Sequence, residues 1–118
     1  MTNQQAEILA LSLQSMSDTK GSVGLKIARN LRMINEELRE YYQFKQALFE
    51  KYGEEQDGRW VISKDSPNIE AFLSELKPLE EQEVNFDFRK ITEDELVDSG
   101  LTAGQINAIW ELIDESIQ

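Results

Sequence analysis

The sequence has neither cysteine nor histidine anywhere in its 118 residues. Without cysteine there can be no disulfide and no thiolate metal site. Without histidine the chain lacks the usual general base, the usual transition-metal ligand and the usual titrating switch near neutral pH. Cys–His and Ser–His–Asp nucleophilic arrangements are therefore excluded. A Ser–Lys pair is still possible in principle, but Ser63-Lys64 are adjacent in a turn with no oxyanion-hole context. Long hydrophobic runs are also missing. The longest uncharged apolar stretch near the start, residues 8–16, is broken by Ser12, Gln14 and Ser15, and no basic segment precedes it. Neither a signal peptide nor a membrane span is expected, which makes a cytoplasmic location the expectation. Gly21-Ser22-Val23-Gly24 has no GK[ST] and follows no strand, so it reads as a helix-starting turn, not a phosphate loop.

Positive charge is scarce: 12 Lys and Arg stand against 23 Asp and Glu, a net charge of −11. The imbalance is concentrated late in the chain. Residues 1–52 carry seven Lys/Arg and six Asp/Glu, a balance of +1, while residues 53–118 carry five against seventeen, a balance of −12. Such an acidic half is unsuited to binding a phosphate backbone directly. It reads either as a solvated, solubilising surface or as a surface that meets a basic partner in place of DNA. An apolar content of 40% and a charged content of 30% are those of a folded globular protein. The length suits a single domain, with residues 1–52 as a helical hairpin and residues 53–118 as an acidic mixed part.

The expected fold class is α+β, mostly helical. Ala6, Leu9, Leu13 and Met16 recur at helical spacing, widened by Ile8 and Leu11, and Thr2 with Gln5 fits a weak capping box. A second series runs through Ile27, Leu31, Ile34, Leu38, Tyr41, Leu48 and Tyr52, with Lys45 as its one interruption. It predicts one continuous helix of about 28 residues, roughly 42 Å long, ended by Gly53 as a C′ glycine. A rod of that length should pair with the first helix and with a second copy of the chain. Asp57-Gly58 predicts a tight hairpin, short and at an edge because its first arm is polar. Ser66-Pro67 should start a helix with Ile69, Phe72, Leu73 and Leu76 on its apolar face, ended or kinked at Lys77 by Pro78. Val84, Phe86 and Phe88 alternate as in a half-buried strand that could pair with residues 59–63. Thr92/Glu95 and Thr102/Gln105 are capping boxes. The first opens one turn ended at Ser99-Gly100. The second opens a final helix with Ile106, Ile109, Trp110, Ile113 and Ile117 on one face.

Candidate functional residues fall in three groups. Lys26, Arg29 and Arg32 step by threes along the second helix, either as a solvated face pairing with glutamates or as a strip for an acidic neighbour or anionic ligand. Met33 and Phe44 fall off the apolar stripe and suggest a second contact surface. Lys45, at a stripe position, either snorkels to the edge or sets register. The acids Glu80, Glu81, Glu83, Asp87, Glu93, Asp94 and Glu95 are the candidate acidic face. None of the carboxylate clusters follows calcium-loop spacing, and residues 93–95 suit the first turn of a helix, where acids complement the dipole. No cofactor or metal is expected.

The run Lys26-Ile27-Ala28-Arg29-Asn30-Leu31, then Ile34-Asn35-Glu36-Glu37-Leu38 and Leu48-Phe49-Glu50-Lys51-Tyr52-Gly53, resembles a family of small uncharacterised phage and prophage proteins. The later Asn68, Phe72, Glu75-Leu76, Glu83-Val84, Leu101-Thr102 and Ile109 to Ile113 extend the resemblance from about residue 22 to the end. It implies a viral origin and a cytosolic site of action in a bacterium, and it supplies no catalytic residues. Two functions are then expected. One is a non-enzymatic accessory protein that binds and blocks a host defence factor. The other is a structural or assembly protein of the virion, from its tail or connector.

Overall fold

The computed structural model describes residues 1–114. It is mostly helical, with one small antiparallel sheet, so the α+β class holds. Compactness follows contacts and not chain order. One unit comprises residues 1–4 and 38–84, the other residues 5–37 and 85–118.

In the first unit, α3 (Arg39–Tyr52) packs on α4 (Ile69–Glu81), with the Phe49 and Phe72 rings 4.9 Å apart. Leu38, Tyr41, Phe72, Leu76 and Val84 are its buried apolar side chains. Between the helices lies a hairpin, β1 (Glu54–Gln56) and β2 (Arg59–Val61), pairing Glu54 with Val61 and Gln56 with Arg59. Asp57 and Gly58 both have positive φ, 52° and 79°, as a two-residue primed turn requires. Gly53 departs from expectation. It is extended (φ −95°, ψ −170°), not left-handed, although its N–H does bond the Phe49 carbonyl at 2.8 Å. Glycine is needed there for space: a Cβ would run into the Val61 carbonyl and lie 2.7 Å from the Phe49 carbonyl oxygen.

Two expectations about α4 are corrected. The helix begins at Ile69, not at Ser66-Pro67, because the Ser66 hydroxyl accepts from the Asn68 N–H at 3.1 Å and closes a turn before it. Pro78 lies inside the helix, which runs on to Glu81. Proline forfeits one bond to the carbonyl four residues back, but the final turn is held from outside. Asn3 Nδ2 donates to the Leu79 carbonyl at 2.9 Å, and the Asn3 N–H donates to that of Gln82 at 2.9 Å. An isolated antiparallel bridge, Thr2 with Glu83, completes that clasp.

The second unit contains the body of α1 (Asn3–Gln14), α2 (Gly21–Glu37), α5 (Glu93–Val97), α6 (Ala103–Ala108) and a single 3₁₀ turn, Trp110–Leu112. Its buried apolar residues include Ala6, Leu9, Leu13 and Met16 from the first expected stripe, then Val23, Ile27, Ile34, Ile91, Ile109, Leu112 and Ile113. Ile8 and Leu11, expected to widen the stripe, are exposed. Both capping boxes form as expected, at Thr92/Glu95 and Thr102/Gln105.

The expected 28-residue rod is divided at Leu38, whose φ of −87° and ψ of 5° lie in the bridge region instead of the helical well. Neither proline nor glycine stands there. Leu38 is fully buried, so tertiary packing, and not propensity, sets the break. The final helix is also shorter than expected. It stops at Ala108, and the chain tightens through the 3₁₀ turn so that Ile113 forms a parallel bridge with Ile91. Trp110, expected on the buried face, is 42% exposed, and Ile117 lies outside the described residues.

Residues 84–90 form no strand and do not pair with residues 59–63. Their backbone groups find other partners. The Val84 N–H bonds the Met1 carbonyl at 2.8 Å, and the Ile91 N–H bonds that of Leu112 at 2.8 Å. Asn30 takes Arg89. Bonded singly at Val84 and Arg89, the segment is held in place without a ladder. The alternation of Phe86 and Phe88 survives as a stacked ring pair at 5.0 Å.

Candidate functional site

Lys26, Arg29 and Arg32, expected either to pair with glutamates from a solvated face or to form a strip for an acidic neighbour, are placed differently from one another. Lys26 is half-buried and turned inward, its Nζ 2.5 Å from Glu95 Oε1 and 2.6 Å from the Lys90 carbonyl. Arg29 and Arg32 are exposed. Four residues after Lys26, and so on the same face of α2, Asn30 is completely buried. Its Nδ2 donates to the Arg89 carbonyl at 3.0 Å and its Oδ1 accepts the Arg89 N–H at 2.8 Å. An asparagine amide can match one peptide group as a strand neighbour would, offering one donor and one acceptor. Lys26 and Asn30 together therefore hold residues 89–95 against α2.

Glu95 closes this constellation. One of its oxygens accepts the Thr92 N–H at 3.1 Å as half of the capping box, and the same oxygen receives Lys26. Lys26, followed by the Thr92 backbone and the Ser22 hydroxyl, holds the Glu95 carboxyl at a pKa of about 2. The site is thus a structural lock, with the Glu95 carboxyl ionised throughout the physiological range. Beside it, a cleft of about 360 Å³ is lined by the start of α2 and by Asp94, Asp98 and Ser99 from α5 and its end.

The other candidate residues are scattered. In the second unit Met33 is half-buried, while Asp87, Glu93 and Asp94 are exposed. In the first unit Phe44 is 57% exposed on α3 and Glu80 is half-buried. Glu81 lies 4.0 Å from Lys77, and Glu83 pairs with the Met1 ammonium at 3.2 Å. Lys45 is half-buried, with its Nζ 5.7 Å from the Tyr41 ring centre, the posture of a lysine laid along an apolar surface.

Folding also redistributes the charge. The first unit carries six Lys/Arg against eleven Asp/Glu and the second six against twelve, balances of −5 and −6. The contrast of +1 and −12 along the chain does not become a contrast between bodies, because both units draw on both halves of the sequence. Among the described residues no group of three or more acidic side chains is placed to hold a metal ion, and no helix is long and apolar enough to cross a membrane.

No family model, curated protein or solved structure matches the chain.

Asn30 was the residue that sequence reasoning missed. The available signal was positional: Val23, Ile27, Asn30 and Ile34 step by four, three and four, and an asparagine at the third of four stripe positions marks a buried polar group that needs partners.

Proposed function

We propose that the protein is a phage-type accessory protein that works without catalysis, by binding a host protein with a basic surface and occluding the place where nucleic acid would sit. The observation that carries this reading is the excess of carboxylates in each compact unit, so that either unit turned toward a partner presents net negative charge. Neutralising charge on the partner would speed association and make it sensitive to salt. The resemblance to phage and prophage proteins supplies the setting, a bacterial cytoplasm, and a host defence nuclease is the kind of target that such a surface suits.

The test is affinity capture from bacterial lysate at low and high ionic strength, followed by nucleic-acid binding assays on the captured partner. A partner that is released by salt and loses its nucleic-acid binding when complexed supports the reading. Capture that is indifferent to salt, or a partner that binds nucleic acid equally well in the complex, rejects it.

A virion assembly role is the alternative. It draws on exposed apolar side chains such as Ile8, Leu11 and Leu25, which would favour self-association. Detection of the chain in purified particles would decide for it.

A further inference from the structure

A groove of about 480 Å³ lies within the first unit, between the hairpin and the turn that precedes α4. Its walls combine two chemistries. Tyr52, Val61, Ile62 and Pro67 supply apolar surface, and Glu54 and Asp65 supply two carboxylates, with no lysine or arginine among the lining residues. The groove is built and not a gap between loose segments. Glu54 and Val61 are cross-strand partners on one face of the hairpin. In the turn, the Ser63 hydroxyl accepts from the Asp65 N–H at 3.2 Å, and Asn68, next to the lining residue Pro67, donates from Nδ2 to the Tyr52 carbonyl at 3.3 Å. Each carboxylate can only accept hydrogen bonds while ionised. An occupant must therefore bring donors and positive charge at its tip and an apolar stem behind it.

We infer that this groove receives an arginine or lysine side chain from the basic partner, its methylene stem along the apolar wall and its cationic head against Glu54 and Asp65. Arginine fits best, since its planar fork can meet carboxylates in pairs while its stem covers apolar surface. The inference rests on the reading above that the partner is basic, and it names the place on this chain where part of that basic surface docks.

The probe is N-acetyl-arginine amide, titrated into the full chain and followed by amide NMR, with N-acetyl-citrulline amide as a neutral isostere. Saturable shifts confined to residues 52–67 are expected for the arginine compound, with binding about tenfold weaker for citrulline. The double variant Glu54→Gln, Asp65→Asn changes two exposed positions. It should lose the response while keeping the wild-type melting temperature. Equal shifts from both compounds, shifts dispersed over the chain, or an unchanged response in the double variant would overturn the inference. The two readings fail separately. If arginine binds the groove but no salt-sensitive partner is captured, the proposed function fails alone. If a basic partner is captured equally well by the double variant, the groove assignment fails alone.

Discussion

Replacing Asn30 with alanine removes a side chain that is entirely buried and doubly bonded to one peptide unit. Two hydrogen bonds at about 1 kcal/mol each are lost, and the Arg89 N–H and C=O are left in a partly buried setting, where an unmet polar group costs about 1–3 kcal/mol. Some of that second cost returns as the segment relaxes toward water, so a net loss of about 2–4 kcal/mol is expected. With a urea dependence of about 2 kcal/mol per molar, typical of a small protein, the unfolding midpoint falls by roughly 1–2 M. The Arg89 amide should also lose hydrogen-exchange protection before the remainder of its unit does. Asn30→Leu separates hydrogen bonding from packing. Leucine would make the stripe from Val23 to Ile34 fully apolar, and if Asn30 merely filled space, the variant would match or exceed the wild type. An Asn30→Leu protein as stable as the parent, with Arg89 still protected, would refute the clamp.

Three further outcomes follow from the same structure. Glu95→Gln should destabilise at neutral pH, and the deficit should shrink in acid: the carboxyl is lowered from an ordinary 4.5 to about 2, so its contribution is complete above the unfolded value and disappears as pH falls through about 2. Urea midpoints of both proteins between pH 7 and pH 2 check this, and a deficit that is flat across that range rejects it. Gly53→Ala should cost about 1–3 kcal/mol, because the new methyl meets two backbone carbonyls that cannot swing aside. Thermal melts and Trp60 fluorescence report it, and a neutral result would mean that the hairpin shifts freely. Pro78→Ala should stabilise by about 1–3 kcal/mol, since α4 already continues past this exposed position and regains a hydrogen bond. Calorimetry would show the gain, and a lower melting temperature would contradict the account of how Asn3 holds the final turn.

Features encoded within a few residues were legible in the sequence. The Asp57-Gly58 turn, both capping boxes and the stripe Ala6, Leu9, Leu13, Met16 depend on local backbone preference or helical period, and each formed as expected. Where a local rule had a distant competitor, the competitor decided. Pro78 was expected to end or kink the helix at Lys77, but the helix runs on, and Asn3 from the other end of the chain holds the turn beyond it. Val84, Phe86 and Phe88 alternate like a strand, yet their segment is held by single bonds, Val84 to Met1, Arg89 to Asn30 and Ile91 to Leu112. At the candidate site, too, distant partners set the roles. Lys26, Arg29 and Arg32 share a spacing but not a role, because only Lys26 faces Glu95.

By itself the sequence determined that the protein folds as a mostly helical, acidic chain without thiol or imidazole chemistry, because composition and short-range periodicity need no partner to be read. The tertiary structure alone decided that the helical run divides at Leu38, that Lys26, Asn30 and Glu95 form a lock, and that the acidity is shared by both units. Those outcomes depend on which distant groups meet. A buried amide or carboxylate takes its role from the partner that satisfies it, and residues 59 to 69 positions apart in sequence are the partners here.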